Sequence, residues 1–113
     1  MSAITTHVLD TSKGRPAAGV RVTLEVKTDG GWTRLGGGAT DADGRLRTLL
    51  AAGSPIAAGT YRLTFETAAY FAAQGVTAFY PEVQVQFAVQ EGGGHFHVPL
   101  LLSPYGYSTY RGS

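Results

Sequence analysis

The sequence predicts an all-β fold, an antiparallel sandwich of about eight short strands with one short helix. Apolar and polar residues alternate with period two in most segments, which is typical of strands that bury one face. Turn residues, mainly Gly, Asp and Pro, separate these segments at short intervals. The chain has 113 residues, 43% of them hydrophobic. It is long enough to bury one core, so we expect a single domain over residues 1–113.

The first half of the chain holds four predicted strands. They cover residues 4–10 (ITTHVLD), residues 20–28 (VRVTLEVKT), residues 32–40 (WTRLGGGAT) and a short segment after the turn at Asp43-Gly44. The second of them is the clearest, because its valines and Leu24 all fall on one face. The glycines at 30 and 31 predict a hairpin between the second and third strands, since glycine tolerates the positive φ of tight turns.

The second half holds four more predicted strands and the helix. The strands cover residues 60–67 (TYRLTFET), 82–89 (EVQVQFAV), 95–102 (HFHVPLLL) and 107–110 (YSTY). The helix lies within residues 66–75 (ETAAYFAAQG), which are rich in alanine. Thr67 is its predicted N-cap and Gly75 stands where a C-terminal cap is expected.

The composition limits the partners and the location of the protein. A formal net charge of +1, with Lys and Arg only as scattered residues, gives no reason to expect nucleic acid or a membrane as a partner. The charged fraction of 15% is low for a water-exposed surface, which favours a surface covered by another copy of the chain. The absence of cysteine, of a secretion signal and of a long apolar run predicts a cytoplasmic protein.

Residues 95–102 have an unusual outer face. The pleat of a strand places Phe96, Val98 and Leu100 on one side, and His95, His97, Pro99 and Leu101 on the other. The side with Phe96 is the natural inward one. The side with His97 therefore points out of the sandwich although it is partly apolar, and we expect a second subunit to cover it.

The first strand repeats this combination, since His7 and Leu9 share the face opposite Val8. If the two strands are neighbours in one sheet, His7 and His97 face a shared groove, but the sequence alone leaves this pairing open. Two functions for these residues are also open. The histidines are proton carriers near neutral pH, or they form a three-histidine zinc site together with His95.

Several stretches of the chain resemble a known family. HVPLLLSPYGYSTYRGS (residues 97–113) resembles the C-terminal signature of the transthyretin-related family, and its final YRGS resembles the form that separates 5-hydroxyisourate hydrolases from the hormone carrier transthyretin. THVLDTSKGRPAAGVRVTL (residues 6–24) resembles the N-terminal signature. TDADGRL, YRLTFETAAYF and FYPEVQVQF follow in the expected order, so the resemblance covers nearly the whole chain.

The resemblance implies a fold, an assembly and an activity. The fold is a transthyretin-like sandwich, assembled as a homotetramer, a dimer of dimers whose central channel is lined by the outer sheet faces. The activity is hydrolysis of the cyclic amide of 5-hydroxyisourate, a small urate-like substrate, on the way from urate to allantoin, with no cofactor and no metal. The alternative function is a carrier that binds a small aromatic ligand in the same channel.

The resemblance also implies three catalytic residues, His7, Arg45 and His97. Hydrolysis of an amide requires a proton to leave water and another to reach the departing nitrogen, and imidazole does both near neutral pH. The guanidinium of Arg45 suits the oxyanion that forms when water attacks a carbonyl. Arg47 lies two residues further on and points the same way, so its role is open.

Substrate binding is expected from the C-terminal segment. Tyr110, Arg111 and Ser113 belong to the tetrapeptide that closes the family's site, and Ser108 shares a strand face with Tyr110. Ser108 is not expected to be a nucleophile, because the chain has no G-x-S-x-G elbow. We therefore expect direct attack by water. His95 is expected at the rim of the site.

Overall fold

The computed structural model describes residues 2–113 as two β-sheets packed face to face, with one short helix. The strands are β1 (Ile4–Asp10), β2 (Arg15–Pro16), β3 (Arg21–Thr28), β4 (Gly31–Ala39), β5 (Arg45–Leu46), β6 (Gly59–Phe65), β7 (Val83–Val89), β8 (Phe96–Ser103) and β9 (Gly106–Thr109). The helix α1 (Thr67–Ala72) lies between β6 and β7. The predicted all-β sandwich with one short helix is confirmed.

The two sheets differ in how their strands pair. One has the order β4-β3-β6-β7 and is antiparallel throughout. The other has the order β2-β1-β8-β9, with the two-residue strand β5 also paired to β1. In this sheet β1 and β8 run parallel, so the sandwich is not purely antiparallel as the sequence predicted. Parallel neighbours need a long connection, and here nearly the whole chain lies between them.

The core lies between the sheets and follows the predicted alternation. The first sheet contributes Ile4, Val8, Phe96, Val98, Leu100 and Leu102, and the second contributes Val22, Leu24, Tyr61, Leu63, Phe65, Val83, Val85 and Val89. The side of β8 that carries Phe96 therefore faces inward, as predicted. His7 on β1 and His97 on β8 point the other way and are partly exposed.

The start of α1 differs from the prediction. The N-cap position is Glu66, and its side chain makes no capping hydrogen bond. Thr67 is instead buried inside the first turn, where its hydroxyl donates to the carbonyl of Tyr80 at 3.3 Å. The prediction that Thr67 is the N-cap is therefore wrong, because packing against the loop before β7 outweighs the local capping preference. None of the helices in residues 2–113 is long and apolar enough to cross a membrane.

Gly75 closes the helix, as the sequence predicts. It adopts φ 71°, a conformation that costs glycine little and other residues more. Its N–H donates to the carbonyl of Ala72 at 3.0 Å, and the N–H of Val76 donates to that of Phe71 at 3.0 Å. This pair of bonds satisfies carbonyls that the end of a helix leaves free.

Asp10 connects the end of β1 to α1. Its side chain is fully buried and accepts hydrogen bonds from Ser12, from the N–H of Lys13 and, at 2.8 Å, from the hydroxyl of Tyr70. Burial by itself raises the pKa of this carboxyl, but the hydrogen bonds outweigh burial and the pKa lies below its ordinary value. The ionised form of Asp10 therefore stabilises the fold.

Replacing Tyr70 by Phe tests this connection. At pH 7 we expect the free energy of unfolding to fall by about 1.5–3 kcal/mol, the usual range for a hydrogen bond to a charged group. Because the pKa of Asp10 is lower in the folded state than in the unfolded chain, its stabilisation is present above the unfolded value of 3.8 and is lost as the pH falls through the folded value. Urea denaturation from pH 7 to pH 3, at one protein concentration, should show the difference between the two proteins shrinking with acidity. A difference that stays constant would contradict this role of Asp10.

Candidate active site

The parallel pairing of β1 with β8 brings the two predicted histidines together. In the register of this pair, Thr5 lies opposite His97 and His7 lies opposite Pro99. All four side chains are on the outer face, because residues two apart along a strand share a face. His7 is therefore displaced from His97 by two residues along the strand direction, about 7 Å. The strand pairing that the sequence left open therefore exists, and it puts both histidines on one outer face.

Arg45 approaches from the other flank of β1. It lies opposite His7 in the β1–β5 pair. The turn before it is held by the carboxylate of Asp41, which accepts from the N–H of Asp43 at 2.9 Å and from the N–H of Arg45 at 3.0 Å. The bond from the N–H of Arg45 is the main cause of a lowered pKa for Asp41. The turn therefore places Arg45 beside the histidines.

Gly44 allows this turn to lie directly against β1. Its φ is 76°, and a Cβ atom built on it would lie 2.4 Å from the carbonyl oxygen of Val8. The same backbone contact includes a hydrogen bond from the N–H of Val8 to the carbonyl of Gly44, 2.7 Å long. Only glycine fits this position without moving β5.

A hydrogen bond to the same turn determines the tautomer of His7. Its Nε2 lies 2.9 Å from the carbonyl oxygen of Asp43. A carbonyl oxygen only accepts, so Nε2 must carry the hydrogen. In neutral His7 the lone pair is therefore on Nδ1, the nitrogen that is free to take or give a proton.

The ring of His97 on β8 is held by a hydrogen bond to Thr5 on β1. Its Nδ1 lies 2.8 Å from the hydroxyl oxygen of Thr5. Burial lowers the pKa of His97, and the positive charges of His7, His95 and Arg45 lower it further. His97 is thus neutral at pH 7 and able to accept a proton.

His95 and Thr5 complete this side of the site. His95 is exposed, its ring stacks on that of His97 with the centroids 6.3 Å apart, and its Nε2 lies 3.0 Å from the same hydroxyl of Thr5. Sequence analysis did not single out Thr5. The signal was its position in ITTHVLD, two residues before His7 and therefore on the same strand face.

Most of these side chains line a groove of about 190 Å³, whereas His7 lies beside it on the same sheet and is not among its lining residues. Its walls include Thr5, Arg45, Arg47, His95, His97 and Ser113. The C-terminal segment reaches the groove because the N–H of Gly112 donates to the carbonyl of His97 at 2.8 Å. A Cβ atom on Gly112 would lie 2.5 Å from Cδ2 of the His97 ring, so the absence of a side chain lets the tail pass directly over that ring.

The other predicted tail residues are not in this groove. Tyr110 and Arg111 line a separate, apolar groove of about 320 Å³, where the guanidinium of Arg111 lies 4.7 Å from the centre of the Phe96 ring. Ser108 pairs with Leu101 on β8, four residues beyond His97 and so about 13 Å away along the strand. Within one chain, the structure therefore unites Ser113 with the histidines but separates Ser108, Tyr110 and Arg111 from them.

The arrangement of ring nitrogens does not favour the zinc alternative. His95 and His97 direct one nitrogen each to the hydroxyl of Thr5, and His7 directs one to a backbone carbonyl. Within residues 2–113 there is no group of three or more His, Cys, Asp or Glu side chains placed to hold a metal ion. The geometry instead provides two imidazoles, His95 and His97, and two guanidiniums, Arg45 and Arg47, around one small groove, which suits proton transfer beside an anion.

This fold and site define a class of protein. Residues 4–112 match the model of the HIUase/Transthyretin family, and the chain belongs to that family. The family resemblance predicted from the sequence is confirmed.

Comparison with individual proteins gives more specific information than the family match. The chain is 50% identical over 118 residues to a 5-hydroxyisourate hydrolase of Caulobacter vibrioides, with all of both chains covered. Among solved structures it is similar to a Klebsiella pneumoniae 5-hydroxyisourate hydrolase, with 44% identity, a TM-score of 0.84 and 97% and 98% of the two chains covered. It is also similar to a transthyretin from Sparus aurata, with 38% identity, a TM-score of 0.90 and 99% and 97% covered. The backbone thus resembles both a hydrolase and a transthyretin, and side chains must distinguish the two functions.

The close approach of Gly44 to β1 can be tested against a matched glycine. Gly14 also has a positive φ, 67°, but a Cβ atom there would meet no atom within 4 Å. We expect Gly44→Ala to destabilise the protein by at least about 1 kcal/mol more than Gly14→Ala, because both pay for the unfavourable φ and only Gly44→Ala also clashes with Val8. Thermal or urea denaturation of both variants measures the difference. Equal losses would mean that the contact with Val8 does not hold the turn in place.

Proposed function

We propose that this chain is a cofactor-free hydrolase that opens the cyclic amide of 5-hydroxyisourate to 2-oxo-4-hydroxy-4-carboxy-5-ureidoimidazoline, a step in urate degradation to allantoin. One observation carries the proposal: Arg45 and His97 line one outward groove, and His7 lies beside them on the same sheet, opposite Arg45 in the β1–β5 pair. The relatives from Caulobacter vibrioides and Klebsiella pneumoniae bear the name of this activity. A protein that only carries a ligand needs a pocket of complementary shape with an apolar lining. It does not require two titratable rings and a guanidinium at the centre of its site.

In this proposal water attacks the amide carbonyl directly. His97 accepts a proton from the water at Nε2, since burial and the neighbouring positive charges keep this ring neutral. The guanidinium of Arg45 donates hydrogen bonds to the carbonyl oxygen as negative charge develops on it. One of the two imidazoles delivers the second proton to the leaving nitrogen, and His7 can do so only through Nδ1, because its other nitrogen is held by Asp43. Ser113 contacts the substrate at the edge of the groove.

The proposal includes assembly as a homotetramer, a dimer of dimers. The outer face that carries the histidines also carries Leu9 and Leu101, two partly exposed apolar side chains of the kind that a second subunit covers. Assembly also offers a role for Ser108, Tyr110 and Arg111, which bind substrate if a neighbouring copy brings them to the groove. A single domain over residues 1–113 and a cytoplasmic location stay predictions.

The activity is measured with freshly formed 5-hydroxyisourate, generated by urate oxidase and followed by its ultraviolet absorbance after exhaustive chelation. The protein should accelerate the decay well beyond the spontaneous rate. We expect His7→Ala, Arg45→Ala and His97→Ala each to lower turnover by at least about 100-fold, the low end for loss of an acid, a base or an oxyanion donor.

Arg21→Ala is the matched control, because Arg21 is an exposed arginine on β3 in the opposite sheet. It should leave turnover unchanged. If the unmodified protein does not accelerate the decay, the hydrolase proposal is wrong. Binding of a small aromatic ligand would then be measured to test the carrier function.

The state of His97 predicts the pH dependence of hydrolysis. As a base, His97 acts only when neutral, and its pKa lies below the ordinary value of 6.5. We therefore expect the acidic decline of kcat/KM to have its midpoint below pH 6.5. The rates should be measured on substrate formed beforehand, so that urate oxidase does not limit them. An acidic decline centred above pH 6.5 would show that another group, or a His97 of higher pKa, is the base.

A further inference from the structure

One hydroxyl group bridges two histidines at the edge of the site. Oγ1 of Thr5 lies 2.8 Å from Nδ1 of His97 and 3.0 Å from Nε2 of His95. Thr5 is only 3% exposed, whereas His95 is exposed to solvent. A continuous path of hydrogen bonds therefore runs from the partly buried ring of His97 to the protein surface.

The single hydrogen of this hydroxyl couples the two rings. If Thr5 donates to His95, Nδ1 of His97 must donate to Thr5, and the lone pair of neutral His97 is on Nε2. If Thr5 donates to His97, Nε2 of His95 is the donor to Thr5, and His97 carries its hydrogen on Nε2. The first arrangement makes His97 a base towards the groove, and the second makes it an acid.

We propose that Thr5 and His95 relay a proton between His97 and solvent, switching His97 from base to acid. This inference rests on the proposed hydrolysis. When Nε2 of His97 takes a proton from water, its Nδ1 hydrogen passes to Oγ1 of Thr5, and the hydroxyl hydrogen of Thr5 passes to Nε2 of His95. His95 then releases its Nδ1 proton to solvent. The reverse transfer accompanies the donation of the Nε2 proton of His97 to the leaving nitrogen: solvent returns a proton to Nδ1 of His95, the Nε2 hydrogen of His95 returns to Thr5, and the hydroxyl hydrogen of Thr5 returns to Nδ1 of His97. No net proton is therefore gained or lost by the relay.

The surroundings of His97 explain why such a path is useful. Its ring is partly buried, and Arg45 on β5 and Arg47 just beyond it line the same groove. His7 on β1 lies near enough for its charge to lower the pKa of His97 as well. An imidazolium at His97 is therefore costly, as its lowered pKa also indicates. The relay lets His97 take a proton at one nitrogen while losing one at the other, without holding a full positive charge. In this scheme Thr5 and His95 are positioning residues that act through His97.

The first test compares three variants of the full-length protein. Thr5→Val removes the hydroxyl group at nearly constant side-chain shape, and Thr5→Ser keeps a hydroxyl group at the same position. Thr11→Val is the control. It removes a different hydroxyl, which also connects the end of β1 to β8 by donating to the carbonyl of Leu102 at 3.1 Å. We expect kcat to fall at least about tenfold in Thr5→Val with KM little changed, to recover largely in Thr5→Ser and to stay unchanged in Thr11→Val. Full kcat in Thr5→Val would overturn the relay.

Chemical rescue distinguishes proton transfer from packing. In His95→Ala the outer end of the path is open to solvent, so added imidazole should restore a large part of the lost kcat. The same imidazole should not rescue Thr5→Val, because the break there is inside the protein. If His95→Ala loses activity and imidazole has no effect, the role of His95 is structural and the relay is wrong.

Nuclear magnetic resonance tests the coupling without any substrate. In protein labelled with ¹⁵N at histidine, the imidazole nitrogen shifts report which nitrogen of each ring carries hydrogen. We expect the tautomers of His95 and His97 to change together with pH, and to become independent in Thr5→Val. Independent titration in the unmodified protein would overturn the coupling. A failed hydrolysis assay beside coupled titration would instead overturn the proposed function alone.

Discussion

The site depends first on the register between β1 and β8. Seven Cα pairs align these parallel strands, from Ile4 with Phe96 to Asp10 with Leu102. The even-numbered residues of both strands enter the core, and the odd-numbered ones form the outer groove. A slip of one residue would turn every side chain of one strand to the other face. The apolar packing that stabilises the sandwich therefore also places Thr5 beside His97 and His7 on the same surface.

Two polar connections support this pair of strands at different points along β1. At one end the carboxylate of Asp10 ties β1 to the helix through Tyr70. Near the middle, the turn that contains Gly44 lies against β1 and delivers Arg45 opposite His7. The first connection serves stability and the second serves the site. Both use a carboxylate that accepts several hydrogen bonds and has a lowered pKa, Asp10 in the first and Asp41 in the second.

The chemistry of the groove follows from unequal environments of three histidines. His7 is oriented by a backbone carbonyl, His97 is partly buried among positive charges, and His95 is exposed. Identical imidazoles thereby offer different nitrogens for proton transfer, and burial lowers the pKa of His97. The transthyretin of Sparus aurata shares the backbone, with a TM-score of 0.90, so the fold alone does not decide between carrying a ligand and hydrolysing one. The side chains on the outer face decide it.

The sequence by itself determined the strands, their inward faces and the family, because alternation with period two and the long terminal signatures are local properties of the chain. It did not determine that β1 and β8 run side by side, since the residues that pair are about ninety positions apart and register is decided by packing. For the same reason only the tertiary structure revealed the bridging hydroxyl of Thr5 and the burial of Thr67. The tertiary structure also places two residues of the C-terminal tail in different grooves, Ser113 in the groove of His97 and Tyr110 in the apolar one. The reason is that the hydrogen bond from the N–H of Gly112 to the carbonyl of His97 directs the last residues.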